Sequence, residues 1–419
     1  MDAWPQWGGP SRNFSVESDE LADSWPEDGP PRLWKRPLGV GYASIVSDGE
    51  LIFTMYRPTL DAEEEVVIAM EATTGETVWE DRYASTSTTP ADSASSGPNS
   101  TPVLAGDRIY AIGTNAVVRC LDKTTGKLLW TRDLQAEFAS PPMPGNGYSV
   151  SPIVYGDTLI VPLGTRPEAD QVDATGGVGP LADPTREDRS RSVLAFDLTD
   201  GKLAWSSDAY VVWQSSPTMI RHGGADQVVL LMTDGIAAID PSSGRELWRL
   251  DFDRSGLHNM TPLWNGLDLL VFAPDGGSGG TRAIRLELED GKTVPKLAWI
   301  NRKMSSLIYI GVHDGDSAYM PGTGGFYGYD LGTGERLWKQ RGFETAACIL
   351  AGDKLLILDY RGELTLATPS REGLAIHAQG QVAEKDAVTC PTLVGSTLYV
   401  RDRKNIMAFD LGVNAATGR

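Results

Sequence analysis

One eleven-residue phrase recurs along this chain and constrains the fold more than any other feature. Its clearest copy is AMEATTGETVW, Ala69–Trp79. The others are CLDKTTGKLLW (Cys120–Trp130), AFDLTDGKLAW (Ala195–Trp205), AIDPSSGRELW (Ala238–Trp248) and GYDLGTGERLW (Gly328–Trp338). Every copy has a small residue first, an acid third, glycine seventh and tryptophan eleventh. The phrase reads as a β-hairpin. Apolar, partly β-branched residues such as Val66–Met70 suit a strand. The acid and the polar residues after it form the turn, and the glycine supplies the positive φ that such a loop needs near its end. The returning strand ends on tryptophan. Burying that side chain removes about 150–250 Å² from water, roughly 4–6 kcal/mol at most. One hairpin has nothing to bury it against, so each copy requires a neighbour.

Degenerate copies extend the pattern. Arg285–Trp299 keeps Glu287 and Gly291 and lengthens the returning strand, while Ala367–His377 keeps Ala367 and Gly373 and places His377 where tryptophan is expected. Ala408-Phe409-Asp410 opens another copy that reaches no tryptophan, and the missing piece stands at the other end of the chain as Pro31-Arg32-Leu33-Trp34. Before each phrase comes a strand opening on Ser/Thr-Pro or its like (Thr101-Pro102, Ser151-Pro152, Ser216-Pro217, Thr261-Pro262, Cys390-Pro391). A Gly-Asp type turn and a strongly apolar second strand follow. Four antiparallel strands per unit, at intervals of about 40–50 residues, match a propeller blade. The expected fold is therefore all-β: an eight-bladed β-propeller of four-stranded antiparallel blades, its ring closed by N- and C-terminal strands. Residues 1–30, rich in Pro and Gly but carrying Trp4, Trp7 and Trp25, are expected to be an ordered extended segment packing on the propeller formed by residues 31–419. Its plain role is to brace the ring; the rival role is a lid over a ligand. Two stretches break the period: a polar, Gly-rich insertion at 166–191, between the second and third strands of the third blade, and a Ser/Thr-rich one at Tyr83–Asn99.

Composition narrows the partners. A formal charge of −19 repels nucleic acid and anionic membranes. No run approaches a membrane span. The chain opens Met1-Asp2-Ala3 without an apolar targeting segment, which fits a true start and equally a start replacing a removed signal. The sequence is compatible with a monomer and does not fix the oligomeric state. Of the three cysteines, Cys120 takes the small first position of the phrase and reads as core, whereas Cys348 and Cys390 fall early in innermost strands of neighbouring blades, too far apart for a favoured disulfide. No adjacent cysteine pair, zinc spacing, phosphate loop or Ser/His/Asp order appears, so no metal site is expected. The Asp-Gly pairs read as turns, as do His222 and His313.

Antiparallel order puts the start of each first strand and the loop after each second strand at one end of the ring. Counting back from the Ser/Thr-Pro prolines brings Tyr148, Trp213 and His258 to that rim, with Glu344 in the seventh blade. One residue onward come Asn99, Gln214, Asn259 and Thr345, with Tyr42 in the first blade. The loops after second strands add Arg57, Arg166, Asp275, Arg361, Arg401 and Asp402. Two readings stand together: polar residues that hydrate a solvent-filled channel and cap strand ends, or a pocket for a specific ligand. Aromatic faces with amides suit a sugar, and arginines suit a carboxylate.

The phrase A-x-D-x-x-T-G-x-x-x-W resembles the tryptophan-docking motif of PQQ-type propeller repeats, found in quinoprotein alcohol dehydrogenases and in the outer-membrane assembly lipoprotein of Gram-negative bacteria. The likeness runs from Trp34 to Asp410. The opening Trp-Pro-Gln-Trp-x-Gly-Pro resembles secreted PQQ-like propellers. The resemblance implies a periplasmic or extracellular protein. It also implies a girdle of Trp34, Trp79, Trp130, Trp205, Trp248, Trp299 and Trp338, each stacked on a neighbouring blade's glycine turn, with His377 departing from it. Catalytic members of the family are longer and use adjacent cysteines against PQQ beside calcium. The pair is absent here, and their calcium-binding and catalytic residues align onto no convincing trio, so the cofactor is unsupported. The expected function is a binding or scaffold module for a protein partner or a small polar ligand. A PQQ-dependent dehydrogenase and a carbohydrate-binding propeller are the alternatives.

Overall fold

The computed structural model describes residues 3–18, 20–85, 97–138, 147–163, 193–208, 210, 212, 214–232, 235–252, 260–272, 280–304, 311–322, 324–386 and 389–413. Its strands form eight small sheets in chain order. Blade 1 comprises Val46–Ser47, Leu51–Tyr56, Glu64–Glu71 and Thr77–Ala84; blade 2, Val103–Ala105, Arg108–Ile112, Val117–Asp122 and Leu128–Asp133. Blade 3 comprises Ile153–Tyr155, Thr158–Pro162, Val193–Asp197 and Leu203–Ser207; blade 4, Thr218–His222, Ala225–Met232, Gly235–Ile239 and Glu246–Asp251. Blade 5 runs through Leu263–Trp264, Leu269–Phe272, Thr281–Glu289 and Lys292–Asn301; blade 6, through Val312–His313, Ser317–Gly322, Gly325–Asp330 and Arg336–Gln340. Blade 7 holds Ala346–Ala351, Lys354–Asp359, Glu363–Pro369 and Leu374–Gln381. Blade 8 takes Thr392–Val394, Thr397–Arg401 and Asn405–Asp410 from the C-terminal end and Arg32–Pro37 from the N-terminal end. The eight-bladed expectation holds, and a five-residue helix, Leu134–Phe138, is the helical element among the described residues.

The seam is sewn as the divided phrase requires. Arg32 pairs with Phe409 and Trp34 with Ala408, antiparallel. Apolar clusters fill the spaces between successive blades: Phe53, Val67 and Ile109 between blades 1 and 2, and Val229, Leu231 and Leu270 between blades 4 and 5.

The phrase has a definite mechanics. The small first residue sits directly across from the tryptophan: Ala69 opposite Trp79, Cys120 opposite Trp130, Ala195 opposite Trp205, Ala238 opposite Trp248, Gly328 opposite Trp338 and Ala408 opposite Trp34. A register shift beside each pair marks a bulge, which bends the outer strand there. The ring then lies on the turn glycine of the next blade. A Cβ at Gly126 would stand 2.6 Å from the Trp79 ring, and at Gly201 2.6 Å from Trp130, so glycine is required both by contact and by its φ of 72° at Gly126. The indole N–H reaches the carbonyl just after the turn acid: Trp34 to Ala72 at 3.0 Å, Trp79 to Lys123 at 2.9 Å, Trp130 to Leu198 at 3.1 Å, Trp299 to Leu331 at 2.9 Å and Trp338 to Ser370, its equivalent, at 2.8 Å. The acid accepts the turn's own N–H groups, as Asp122 Oδ1 does from Thr124 at 3.1 Å and Thr125 at 2.8 Å.

Three details differ from the sequence reading. Blade 5 lengthens both arms of its hairpin, and the small residue across from Trp299 is Ala283, not Arg285. That hairpin turns on Asp290 and Gly291 alone, with φ of 49° and 75°, the geometry of a two-residue type I′ turn. Trp248 donates to Gln227 of its own blade at 2.6 Å instead of to blade 5. In blade 7 Ala367 pairs with Ile376, so His377 is itself the bulged residue; it is exposed and bonds Thr368 at 2.8 Å.

Candidate functional site

The channel at the centre of the ring has two ends with different fates. One is taken by the protein's own N-terminal segment, which lies against the innermost strands. Trp4 exchanges both main-chain bonds with Ser47 of blade 1 at 2.9 Å, and the Pro5 carbonyl receives Leu104 N–H of blade 2 at 2.8 Å. Trp7 donates to Thr261 of blade 5 at 3.1 Å and meets Phe14 edge-on at 5.1 Å. Arg12 spreads its guanidinium over carbonyls of Pro152 (3.0 Å) in blade 3 and Pro217 (3.1 Å) in blade 4. Ser15–Val16 then adds a fifth strand, parallel to the innermost strand of blade 7. The water-filled channel of the sequence reading is thus occupied at this level by chain. Burial, with no carboxylate to oppose it, pulls the Arg12 pKa down to about 9, still cationic at neutral pH.

The sequence marked Ser/Thr-Pro without giving it a task. Its hydroxyls link neighbouring blades in a hoop: Thr101 Oγ1 accepts Ser44 N–H at 3.1 Å, Ser151 Oγ accepts Thr101 N–H at 3.1 Å, and Ser216 Oγ accepts Ser151 N–H at 2.9 Å. The hydroxyl satisfies a main-chain donor that the blade's own ladder leaves unused.

The other end carries the rim forecast from counting, and its residues divide sharply. Arg57 is fully buried, paired with Glu65 at 3.1 Å and bonded to the Ala62 carbonyl at 2.7 Å. Glu65 also takes the Tyr83 hydroxyl at 2.9 Å and the Thr114 hydroxyl, tying blade 1 to blade 2. Arg401 is likewise buried and staples blade 8 to blade 1 through the carbonyls of Met55 (2.8 Å), Ala43 (3.2 Å) and Gly39 (3.2 Å), with burial pulling its pKa down to about 10. Tyr148 is buried and donates to the Pro162 carbonyl at 3.0 Å, burial pushing its hydroxyl well up. Asp402, also buried, caps its own turn through Lys404 and Asn405 N–H at 2.8 Å each. Asn99 and Gln214 are half-buried, Asn99 donating to Gly97 at 3.2 Å. Glu344 and Arg361 are exposed, Arg361 being held by Asp359 at 2.5 Å. Arg166, Trp213, His258, Asn259 and Asp275, with the whole 166–191 insertion, lie outside the described residues.

What the structure does assemble is a smaller cluster at the seam of blades 7, 8 and 1. Tyr42, Tyr360, Asp386 and Arg403 are all half-buried there. Arg403 Nη1 stands 3.5 Å from Asp386 Oδ2. The Tyr360 hydroxyl bonds Asp386, which, ahead of partial burial, pushes that phenol up. Burial is the largest cause raising Tyr42, opposed by Arg403 and heightened by Asp386. Lys385 lies over the Tyr360 ring, 5.5 Å from its centroid. Asp386 has φ of 74°, a conformation that costs energy for a residue with a Cβ and that clusters at functional sites. Two phenols, an aspartate and cations, partly open to solvent, offer donors and acceptors on one surface. Counting found Tyr42; it missed Tyr360, Asp386 and Arg403, which come from three different connections and carry no shared sequence signal.

A closed ring of four-stranded blades stapled by tryptophans on glycine turns defines a PQQ-like β-propeller. Within that class, the chain belongs to the family described as outer membrane protein assembly factor BamB, which matches residues 62–340 and 189–419. It is 23% identical over 348 residues to the outer membrane protein assembly factor BamB of Moranella endobia (strain PCIT), covering 75% of this chain and 81% of that one. Among solved structures it is similar to BamB from Moraxella catarrhalis (TM-score 0.60, 16% identity, 91% of this chain and 100% of that one). It is also similar to the quinohemoprotein alcohol dehydrogenase of Comamonas testosteroni (TM-score 0.61, 13% identity, 98% of this chain and 80% of that one). These structural likenesses establish the fold alone. Among the described residues no three His, Cys, Asp or Glu converge as a metal site, and the cysteines stand far apart in sequence.

Proposed function

We propose that this protein is a binding scaffold in the bacterial periplasm, serving outer-membrane protein assembly through a protein partner that docks at the blade 7–8–1 seam. What supports this reading is the match, over residues 62–419, to a family described as an outer membrane protein assembly factor. The same relatives favour the periplasm over the extracellular side. The seam cluster supplies the contact: tyrosine and arginine are the residue types that carry most binding energy at protein interfaces. The acidic surface as a whole favours a partner with basic groups.

Deleting the gene in the source bacterium should lower the amounts of outer-membrane β-barrel proteins, and the intact gene should restore them. Unchanged amounts would remove the scaffold role. A folded Tyr360→Ala/Arg403→Ala double variant should restore them poorly; full restoration would move the docking surface elsewhere. A dehydrogenase remains the rival. Titrating PQQ with calcium into the pure protein should leave the absorbance spectra additive, and a saturable change at micromolar quinone would reopen that reading.

A further inference from the structure

The channel contacts of the N-terminal segment are those of a bound peptide. In a propeller the innermost strand of a blade turns an edge toward the axis, and edges of that kind capture extended chains. Here the edges of blades 1, 2 and 7 are so used, by Trp4, by Pro5 and by Phe14 and Val16, whose carbonyls take Leu350 and Gly352 N–H at 2.9 Å each. Side chains add selectivity. Trp4 is 1% exposed, and a Cβ at Gly9 would lie 3.1 Å from its ring, so the Gly8-Gly9 turn must fold over the indole. Arg12 is buried, and its fork reaches two blades. Between this occupant and the closing strand Arg32–Pro37 runs a surface stretch whose Pro26, Glu27 and Asp28 are exposed.

We propose that the axial channel is a peptide-binding site in its own right, recognising a Trp-Pro-x-Trp-Gly-Gly segment that turns at its glycines and is followed by arginine, and that residues 3–16 of this chain are its resident ligand. Main-chain pairing supplies the affinity, and the arginine fork and the tryptophan under the glycine turn supply the selectivity. A peptide without the arginine leaves the carbonyls of Pro152 and Pro217 facing a hole. The covalent tether holds the ligand close and is not what holds it in place.

The test uses the full chain. A protease site is placed at Glu27-Asp28, the folded protein is cut, and gel filtration follows the fragment. The fragment should stay with the ring after cutting, and as it slowly leaves, a dye-labelled synthetic peptide of residues 3–18 in excess should take its place. Arg12→Ala should speed fragment release by about tenfold or more, since charge-assisted bonds to two blades are lost. Arg12→Lys should speed it as well, because a point charge lacks the planar fork. Release of the fragment at the rate of cutting would overturn the proposal. So would a ring that loses its fragment and captures no label, or an Arg12→Ala fragment that leaves no faster than the original.

Discussion

Trp130 shows how one residue serves two sheets. It stands across from Cys120 in its own blade, lies on Gly201 of the next, and donates to Leu198 there. Its neighbour in the pair is inert: burial raises the Cys120 thiol to about 11, which suits a filler and not a nucleophile. Trp130→Ala should destabilise the protein by about 3–5 kcal/mol, as truncation of a buried aromatic does. His377→Ala, at the eleventh position of the phrase in blade 7 but bulged and exposed, should change the unfolding free energy by no more than about 0.5 kcal/mol. Equal losses for the two would refute the docking account. The turn acids make a separate prediction in pH. Asp122, Asp240 and Asp330 are held below the ordinary carboxylate value, chiefly by hydroxyl or arginine hydrogen bonds and by the turn's N–H groups. A carboxylate depressed on folding contributes stability above its unfolded pKa, near 3.9 as a rough value, and loses that contribution as pH falls through the folded pKa. From pH 7 to 5 these groups should therefore leave the urea midpoint unchanged, with the loss confined to lower pH. Asp330→Asn, which keeps an acceptor but no charge, should shallow that acid limb.

At the level of strands and segments, the seventh junction shows how a missing part was replaced. Blade 8 offers the Leu411 carbonyl where other blades receive an indole, and here Ala22 N–H takes it at 2.8 Å while Leu21 bridges to Gly412. Lys354 adds a bond to the Leu21 carbonyl at 2.6 Å. Ile376→Trp, across from Ala367 where the other blades carry tryptophan, should accordingly gain nothing in the full chain, its acceptor being taken, yet stabilise a chain lacking residues 1–30. A stabilised full-length variant would contradict the replacement. Removing residues 1–37 should cost far more than removing 1–30, because the longer cut also strips the outer strand from blade 8 and exposes its edge. Melting temperatures of the two truncations decide it. The sequence revealed the girdle and the seam because each rests on a local rule, such as a glycine under a ring or a strand divided between Trp34 and Phe409. Replacement by Ala22 was illegible: a main-chain N–H has no side-chain signature. The rim suffered likewise. Antiparallel order assigned Arg57, Tyr148, Arg401 and Asp402 to one end of the ring, but whether a side chain faces the opening or a neighbouring blade depends on packing that period alone does not encode.

For the molecule as a whole, a net charge of −19 on a closed ring means that folding concentrates like charges. Self-repulsion of this kind is screened as the Debye length shrinks, from about 30 Å at 0.01 M salt to about 10 Å at 0.1 M. The melting temperature should rise over that interval; a fall would place the net electrostatics in the ion pairs instead. The pairing of Arg32 with Phe409 sets a further condition, one of timing. Arg32–Pro37 must wait for Asn405–Asp410, made about 370 residues later, and the residues that fill the axis wait with it. Until Asn405–Asp410 has been made the circle has a gap, and long-range closure of this kind is slow. A polypeptide so arranged stays threadable until that distant partner emerges.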